Sequence, residues 1–210
     1  MELFLDGPAG RLEALLETES DPVRAAAVCC HPHPTYGGTM HNTVVFRAAR
    51  ALRRAGAATL RFNFRGVEGS EGEHDGRIGP GGEEDDALAA LDALAERYDA
   101  PLWGVGFSFG SRTIASLSLR EPRLERLVLI APPVDVFDCS ALVKLRVPAL
   151  AIWGDRDEFG TLASFERRYP DPPASLETAE IEGADHLFRG RTPKLEEAVL
   201  DYARRALETA

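Results

Sequence analysis

The chain has 210 residues, and its 34 acidic and 24 basic side chains give a formal net charge of −10 at pH 7. This length suits one domain whose core is large enough to need neither disulfides nor metal ions for stability. The acidic balance repels nucleic acids and anionic membrane surfaces, so we expect neither as a partner.

Cysteine usage and the N-terminal residues indicate a cellular compartment. The chain has three cysteines, of which Cys29 and Cys30 are adjacent, and this odd number does not suggest a disulfide framework. Residues 1–8 contain neither the basic nor the long apolar region of a signal peptide. No later segment approaches the ~18 apolar residues of a membrane helix. These features predict a cytoplasmic location.

Segments with strand and helix patterns alternate along the chain. Strands are predicted at 2–5, 12–17, 25–30, 57–64, 102–107, 124–130, 148–153 and 175–181. Helices are predicted at 43–54, 84–98, 109–119, 162–169 and 194–207. This alternation predicts one α/β domain over residues 1–210, with helices on both faces of a mostly parallel sheet of about seven or eight strands.

Two connections are distinctive. Residues 31–38 read His-Pro-His-Pro-Thr-Tyr-Gly-Gly, and their two prolines prevent regular structure directly after a buried strand. Residues 65–82 are rich in glycine and polar side chains and are too long for a simple connection, so we expect a functional or mobile loop there.

Ser108 is the strongest candidate for a functional residue. It lies in the sequence Gly106-Phe107-Ser108-Phe109-Gly110, between a predicted strand and a predicted helix. A turn this sharp needs small neighbours, and it presents the serine hydroxyl above the sheet, where the first N–H groups of the helix are directed. The alternative is a glycine-rich turn that binds nothing. In its strand–turn–helix context, the motif favours a nucleophile.

A nucleophilic serine needs a histidine base and an acid that orients it, and both should lie in loops after parallel strands. His186 follows the last predicted strand, and both Asp155 and Asp157 follow the strand at 148–153. The order serine, aspartate, histidine is one of the known arrangements of this set. Either aspartate alone would be interpreted as a turn former or a helix cap.

Together these segments resemble the α/β-hydrolase superfamily over essentially the whole chain. The His-Pro-His-Pro stretch and the segment Arg61-Phe62-Asn63-Phe64-Arg65-Gly66 narrow the resemblance to small, lidless, dienelactone-hydrolase-like serine hydrolases. The resemblance implies Asp157 rather than Asp155 as the acid. It also implies that residues 131–147, between two strands where many relatives insert a lid, leave the site open.

The 31–38 stretch occupies the place of the superfamily's oxyanion loop, so one of its N–H groups is expected to act with that of Phe109. Pro32 and Pro34 have no N–H, and we expect Tyr36 to be the donor, with His33 and Thr35 as alternatives. A metal site is disfavoured, because ligands at adjacent positions cannot all face one ion. That set would comprise Cys29, Cys30, His31 and His33. The two cysteines are instead expected to be buried in the core, and His31 is expected to lie in a rigid turn with backbone groups as its hydrogen-bond partners.

The sequence thus predicts hydrolysis of a small carboxylic ester or related acyl compound through Ser108, Asp157 and His186, without a cofactor or metal. The alternatives are an acyltransferase that uses the same residues and a non-catalytic binding protein on the same fold. The sequence is compatible with a homodimer. Arg65 and the acidic run at 83–86 are interpreted as structural. Six aromatic residues are candidates for apolar walls of the site: Tyr36, Phe107, Phe109, Phe137, Phe159 and Phe188.

Overall fold

The computed structural model describes residues 1–74 and 82–208. Its strands are β1 (Glu2–Gly7), β2 (Gly10–Glu17), β3 (Ala25–Cys30), β4 (Ala57–Phe62), β5 (Leu102–Phe107), β6 (Leu124–Ile130), β7 (Ala149–Gly154) and β8 (Leu176–Ile181). Its helices are α1 (Thr43–Arg54), α2 (Glu83–Arg97), α3 (Phe109–Ser118), α4 (Leu162–Arg168) and α5 (Thr192–Glu208), with short 3-10 helices at Pro34–Tyr36 and Ser140–Lys144.

The described strands form one sheet in the order β1-β2-β4-β3-β5-β6-β7-β8. The β1–β2 hairpin joins antiparallel to β4, whereas β3 to β8 pair in parallel. Parallel strands all end at the same edge of the sheet, so the segments that follow β3, β5, β7 and β8 meet there. The α/β fold and its mostly parallel sheet confirm the prediction from the sequence.

The core has two layers, one on each face of the sheet. Successive residues of a strand face opposite sides, so Val28 packs with α2 and α3 while its neighbour Cys29 packs with α1 and α5. All six residues of β3 are buried, as expected for a strand covered on both faces. Cys29, Cys30 and Cys139 are free and buried, and burial raises the pKa of Cys29 to about 12. The interpretation of Cys29 and Cys30 as core residues is confirmed.

Each predicted strand and helix is present, with ends within two residues of those expected. The strand predicted at 57–64 ends at Phe62, because the buried Asn63 directs its side-chain amide to other segments. Its Oδ1 accepts a hydrogen bond from Met40 N at 2.8 Å, and its Nδ2 donates to Glu13 at 2.8 Å. The predicted loop at 65–82 follows, but its residues 75–81 lie outside the described part of the chain. In residues 1–74 and 82–208, no helix has the length and apolar character needed to cross a bilayer.

Candidate active site

Ser108 lies in a strained turn between β5 and α3. Its backbone has φ 54° and ψ −116°, a conformation that non-glycine residues rarely adopt. The N–H of Ser108 donates to Ile130 O at 2.8 Å and holds the turn against β6. A Cβ on Gly106 would lie 2.2 Å from Gly110 O, and one on Gly110 would lie 2.3 Å from Cys30 O. Both glycines are therefore required by the close approach of backbone, as the sequence motif predicts.

His186 connects Ser108 to Asp157. Its Nε2 lies 2.9 Å from Ser108 Oγ, and its Nδ1 lies 2.9 Å from both carboxylate oxygens of Asp157. An ionised carboxylate only accepts hydrogen bonds, so Nδ1 carries a proton and Nε2 is free to accept from the serine hydroxyl. His186 is 6% exposed and Asp157 5%. The three side chains thus form a hydrogen-bonded chain that is largely shielded from water.

The two aspartates after β7 have separate contacts. Asp157 also accepts a hydrogen bond from Phe159 N at 2.8 Å, which fixes its carboxylate toward the histidine. Asp155 accepts one from Gly183 N at 2.6 Å and so ties the loop after β7 to the loop after β8. The structure brings Asp157, and not Asp155, to His186.

Two aromatic rings hold the imidazole of His186. The ring of Phe107 lies 5.2 Å from it and that of Phe159 packs edge-on at 4.6 Å. Phe107 is buried in the core, as are Phe109 and Phe188, so these three do not form walls of an open site. Phe159 is 40% exposed and Tyr36 is 85% exposed. The sequence could not separate these two groups of aromatic residues, because periodicity does not show which rings lie above the sheet edge.

The N–H of Phe109, the first residue of α3, has no acceptor among the described residues. The N–H of Tyr36, in contrast, donates to His33 O at 3.1 Å inside the 3-10 helix. This geometry contradicts the expectation that Tyr36 supplies the second oxyanion donor. Thr35 N donates to His33 Nδ1 at 3.3 Å, whereas the N–H of His33 has no acceptor in the part of the chain that the structure describes.

His31 has the structural role expected for a buried histidine. Its Nε2 accepts a hydrogen bond from Phe64 N at 3.0 Å, so its Nδ1 carries the proton and donates to Pro32 O at 2.6 Å. Burial lowers the pKa of His31 to about 4, although the Pro32 carbonyl favours the charged form. His31 is thus neutral near pH 7 and anchors the 31–38 segment to the residues after β4.

The side chains of His33 and His74 contact each other, and the sequence did not predict this contact. The ring of His74 is 4.9 Å from that of His33 and 5.8 Å from that of Phe109. His74 Nδ1 lies 2.6 Å from Oε1 of the buried Glu83. Burial, and then the charge of His74, lower the pKa of His33. No sequence motif joins His74 to residues 31–38, because their contact depends on the tertiary fold.

The structural interpretation of Arg65 is confirmed, because this side chain forms a buried ion pair with α2. Its guanidinium forms hydrogen bonds of 2.7–3.1 Å to both oxygens of Asp86 in the first turn of α2. Arg65 is 6% exposed and Asp86 is fully buried. The ion pair joins the segment after β4, which also holds His31, to α2.

Comparisons with known proteins agree with this architecture. A family profile described as an alpha/beta hydrolase domain matches residues 27–208. An uncharacterized protein of Rickettsia prowazekii (strain Madrid E) is 34% identical, over 96% of this chain and 87% of its own length. A protein of unknown function from Agrobacterium tumefaciens is 32% identical with a TM-score of 0.90, over 100% of this chain and 97% of its own.

A third similar structure, from Xanthomonas campestris, is described as a member of the α/β serine hydrolases without a lid. It is 33% identical to this chain with a TM-score of 0.87, over 98% of this chain and 94% of its own. The family profile spans well over half of the chain, and these relatives cover nearly all of it. The chain therefore belongs to the alpha/beta hydrolase family.

Proposed function

We propose that the protein is a serine hydrolase that cleaves a small carboxylic ester through an acyl-enzyme on Ser108. The observation that carries this proposal is the imidazole of His186, which lies 2.9 Å from Ser108 Oγ on one side and 2.9 Å from Asp157 on the other. A serine hydroxyl is a weak nucleophile at neutral pH and needs an adjacent base, which the imidazole provides.

In the first half of the reaction, Ser108 Oγ attacks the ester carbonyl carbon while His186 Nε2 takes the hydroxyl proton. The tetrahedral intermediate then expels the alcohol, whose oxygen receives that proton from Nε2. In the second half, water attacks the acyl-enzyme in the same way and releases the acid. Asp157 keeps the proton on Nδ1 and stabilises the imidazolium that forms twice in each cycle.

The oxyanion would be bound by two backbone N–H groups, those of Phe109 and His33. Both lack an acceptor among the described residues, and the ring of His33 packs 5.0 Å from that of Phe109. Such donors, fixed before the reaction begins, stabilise the developing negative charge without reorganisation. His33, one of the two alternatives to Tyr36, thus becomes the preferred donor, because the N–H of Thr35 already donates to His33 Nδ1.

The proposed substrates are small or exposed esters. The β6–β7 connection, residues 131–148, contains only the short 3-10 helix Ser140–Lys144, and the similar Xanthomonas protein is described as lacking a lid. The His-Pro-His-Pro segment supports a relation to dienelactone-hydrolase-like enzymes. Water is the co-substrate, and the proposed steps use no cofactor.

The test is the intact mass of the protein after treatment with a fluorophosphonate, which labels activated serines. We expect one adduct on the wild type, none on Ser108→Ala and much slower labelling of His186→Ala. Ser116→Ala, on the same helix, is the matched control and should react like the wild type. A folded wild-type protein that forms no adduct would favour a binding protein. Product analysis with an added alcohol distinguishes an acyltransferase from a hydrolase.

A further inference from the structure

The peptide group between Pro32 and His33 is held by two other residues of the 31–38 segment. Its oxygen, Pro32 O, accepts the hydrogen bond of 2.6 Å from His31 Nδ1. Gly38 packs against the same group, because a Cβ on Gly38 would overlap Pro32 O and lie 2.5 Å from Pro32 C. The N–H of Gly38 also donates to His33 O at 3.1 Å. The peptide group thus lies between a buried imidazole and a buried glycine.

This peptide group carries the N–H of His33, which is the second oxyanion donor proposed above. The bond between Pro32 and His33 is trans. In a planar trans peptide, the C=O and the N–H point in opposite directions. A contact that fixes the direction of Pro32 O therefore also fixes the direction of the His33 N–H.

The ring of His31 is itself held at both nitrogens. Its Nε2 accepts from Phe64 N at 3.0 Å, which places the proton on Nδ1, and that N–H donates to Pro32 O. The ring of Phe64 packs edge-on against the imidazole at 4.7 Å. His31 is fully buried, so water does not replace either partner. The backbone after β4 thus determines the tautomer that holds Pro32 O.

The start of the segment lies against the turn that carries Ser108. A Cβ on Gly110, two residues after Ser108, would lie 2.7 Å from His31 O. The backbone of His31 therefore touches the first turn of α3. The ring of His33 packs 5.0 Å from that of Phe109, the residue directly after Ser108. These contacts place the segment beside the proposed nucleophile through tertiary packing and not through sequence adjacency.

We propose that His31 and Gly38 are positioning residues for the reaction, which hold the Pro32–His33 peptide so that the His33 N–H points at the oxyanion. The inference rests on the proposed ester hydrolysis at Ser108. Neither residue touches the ester, since both act through one peptide group. The hydrogen bond to Pro32 O also polarises that group and strengthens its N–H as a donor. This role accounts for the histidine that begins the stretch and the glycine that ends it.

Two substitutions of His31 separate this role from a contribution to stability. The amide nitrogen of asparagine is as many bonds from Cβ as Nδ1 is, and it can still donate to Pro32 O. The amide oxygen of glutamine corresponds in the same way to Nε2, and it can still accept from Phe64 N. We expect His31→Gln to lower kcat for butanoate esters by about tenfold to a hundredfold with little change in KM. His31→Asn should retain more of the wild-type kcat, and His41→Gln, at an exposed histidine, is the matched control.

Inhibition by the trifluoromethyl ketone that corresponds to butanoate gives a second readout. Ser108 Oγ adds to the ketone carbon, its proton passes to His186 Nε2, and the ketone oxygen becomes an oxyanion in the same hole. The inhibition constant should rise in His31→Gln by about the factor by which kcat falls. Wild-type kcat and inhibition in a less stable His31→Gln would overturn the positioning role. A lower kcat for His31→Asn than for His31→Gln would also overturn it.

Gly38→Ala tests the same peptide through its other contact. The φ of Gly38 is not positive, so alanine is opposed there by its contact with Pro32 and not by its own backbone conformation. We expect kcat to fall and the inhibition constant to rise together, again with little change in KM. Gly7→Ala, whose Cβ would lie 2.7 Å from Gly10 O in the β1–β2 hairpin, is the matched control and should affect stability alone.

Gly38→Ala with wild-type kcat and inhibition would overturn the inference. If one of the His31 and Gly38 variants does not fold, those that fold decide the question. Absence of the Ser108 adduct in the wild type would instead overturn the proposed hydrolase function, so the two failures are distinct.

Discussion

At the scale of single residues, Asp155 and Asp157 show how two similar side chains in one loop differ in their contacts. Asp157 contacts His186 Nδ1, and Asp155 contacts the backbone of Gly183. Both follow β7, so both reach the edge of the sheet where Ser108 lies. The distinction comes from the direction in which the loop turns each carboxylate.

Replacement of each aspartate by asparagine should separate these roles. Asp157→Asn removes the acceptor that keeps the proton on Nδ1, and we expect kcat to fall by about 10³- to 10⁴-fold. Asp155→Asn weakens one hydrogen bond between loops and should change kcat by less than about tenfold. Steady-state kinetics of both variants measures the difference, and equal losses would contradict the assignment of Asp157.

The sequence predicted those residues of the candidate site that lie in loops after parallel strands, because such loops meet at one edge of the sheet. This argument identified Ser108 and His186, and the resemblance to the α/β-hydrolase superfamily selected Asp157. It did not identify the donor in the 31–38 segment, because six N–H groups remain after the two prolines are excluded, and the sequence does not show which of them is free. Only the 3-10 helix shows that the N–H of Tyr36 is used internally.

His31 makes the stability depend on pH. Burial lowers its pKa in the folded state from 6.5 to about 4, so the unfolded chain binds the extra proton first as the pH falls. The contribution of neutral His31 is complete above pH 6.5. It is lost progressively as the pH falls to about 4, and amounts to about 3 kcal/mol.

Urea denaturation between pH 7 and pH 4 measures this effect. His31→Gln keeps an acceptor for Phe64 N but does not titrate, so its free energy of unfolding should fall less steeply over this range. The same pH dependence in the variant and the wild type would show that other groups are responsible.

At the scale of elements, α2 is held by the acidic residues of its first turn. Acids at this position stabilise a helix N-terminus, but here they also pair with basic side chains from other segments. Asp86 pairs with Arg65, Glu84 with Arg120, and Glu83 lies against His74. The sequence predicted the helix and its acidic start. The individual pairs depend on distant residues and could not be predicted.

Asp86→Ala should destabilise the protein by about 3–5 kcal/mol, because it removes the carboxylate that pairs with the buried guanidinium of Arg65. The double variant Arg65→Met, Asp86→Leu removes both charges and should recover much of that loss. Chemical denaturation of the three proteins measures the difference. A double variant no more stable than Asp86→Ala would show that the ion pair is not the main source of the effect.

Strand and helix ends were predictable because most of them coincide with glycine, proline or a change of hydrophobic period. β3, β5 and β6 have the predicted bounds. β3 and β5 are continuous runs of apolar or small residues, and β6 is apolar apart from Glu125 and Arg126 near its start. The end of β4 was not predicted, because Phe62 and Phe64 keep the apolar pattern of a strand. The hydrogen bonds of Asn63 end the strand, and their partners lie elsewhere in the chain.

At the scale of the whole molecule, the short β6–β7 connection determines how substrate reaches the site. Residues 131–148 pass from one strand to the next with a single 3-10 helix, and Phe137 and Phe159 lie near the surface. Within the described residues this connection adds no lid, so we expect that no lipid–water interface is needed to open the site. The rate should therefore depend on dissolved substrate alone.

We expect hydrolysis of short esters to follow a simple saturation curve, with no increase in rate when the ester exceeds its solubility. Esters of butanoate should be cleaved with a higher kcat/KM than those of long-chain acids, because a shallow site buries little of a long chain. Rates measured across the solubility limit test this expectation. A sharp rise above that limit would contradict an open site.

The ion pairs between α1 and α5 have a consequence for how the protein is made. Glu196 of α5, nearly buried, pairs with Arg47, Arg50 and Arg54 of α1, and Arg47 precedes it by 149 residues. While the ribosome synthesises the intervening strands, these arginines lack their carboxylate, and one face of the sheet is covered by α1 but not yet by α5. We therefore expect the nascent chain to expose apolar surface until α5 emerges, and to be most prone to aggregation during this interval.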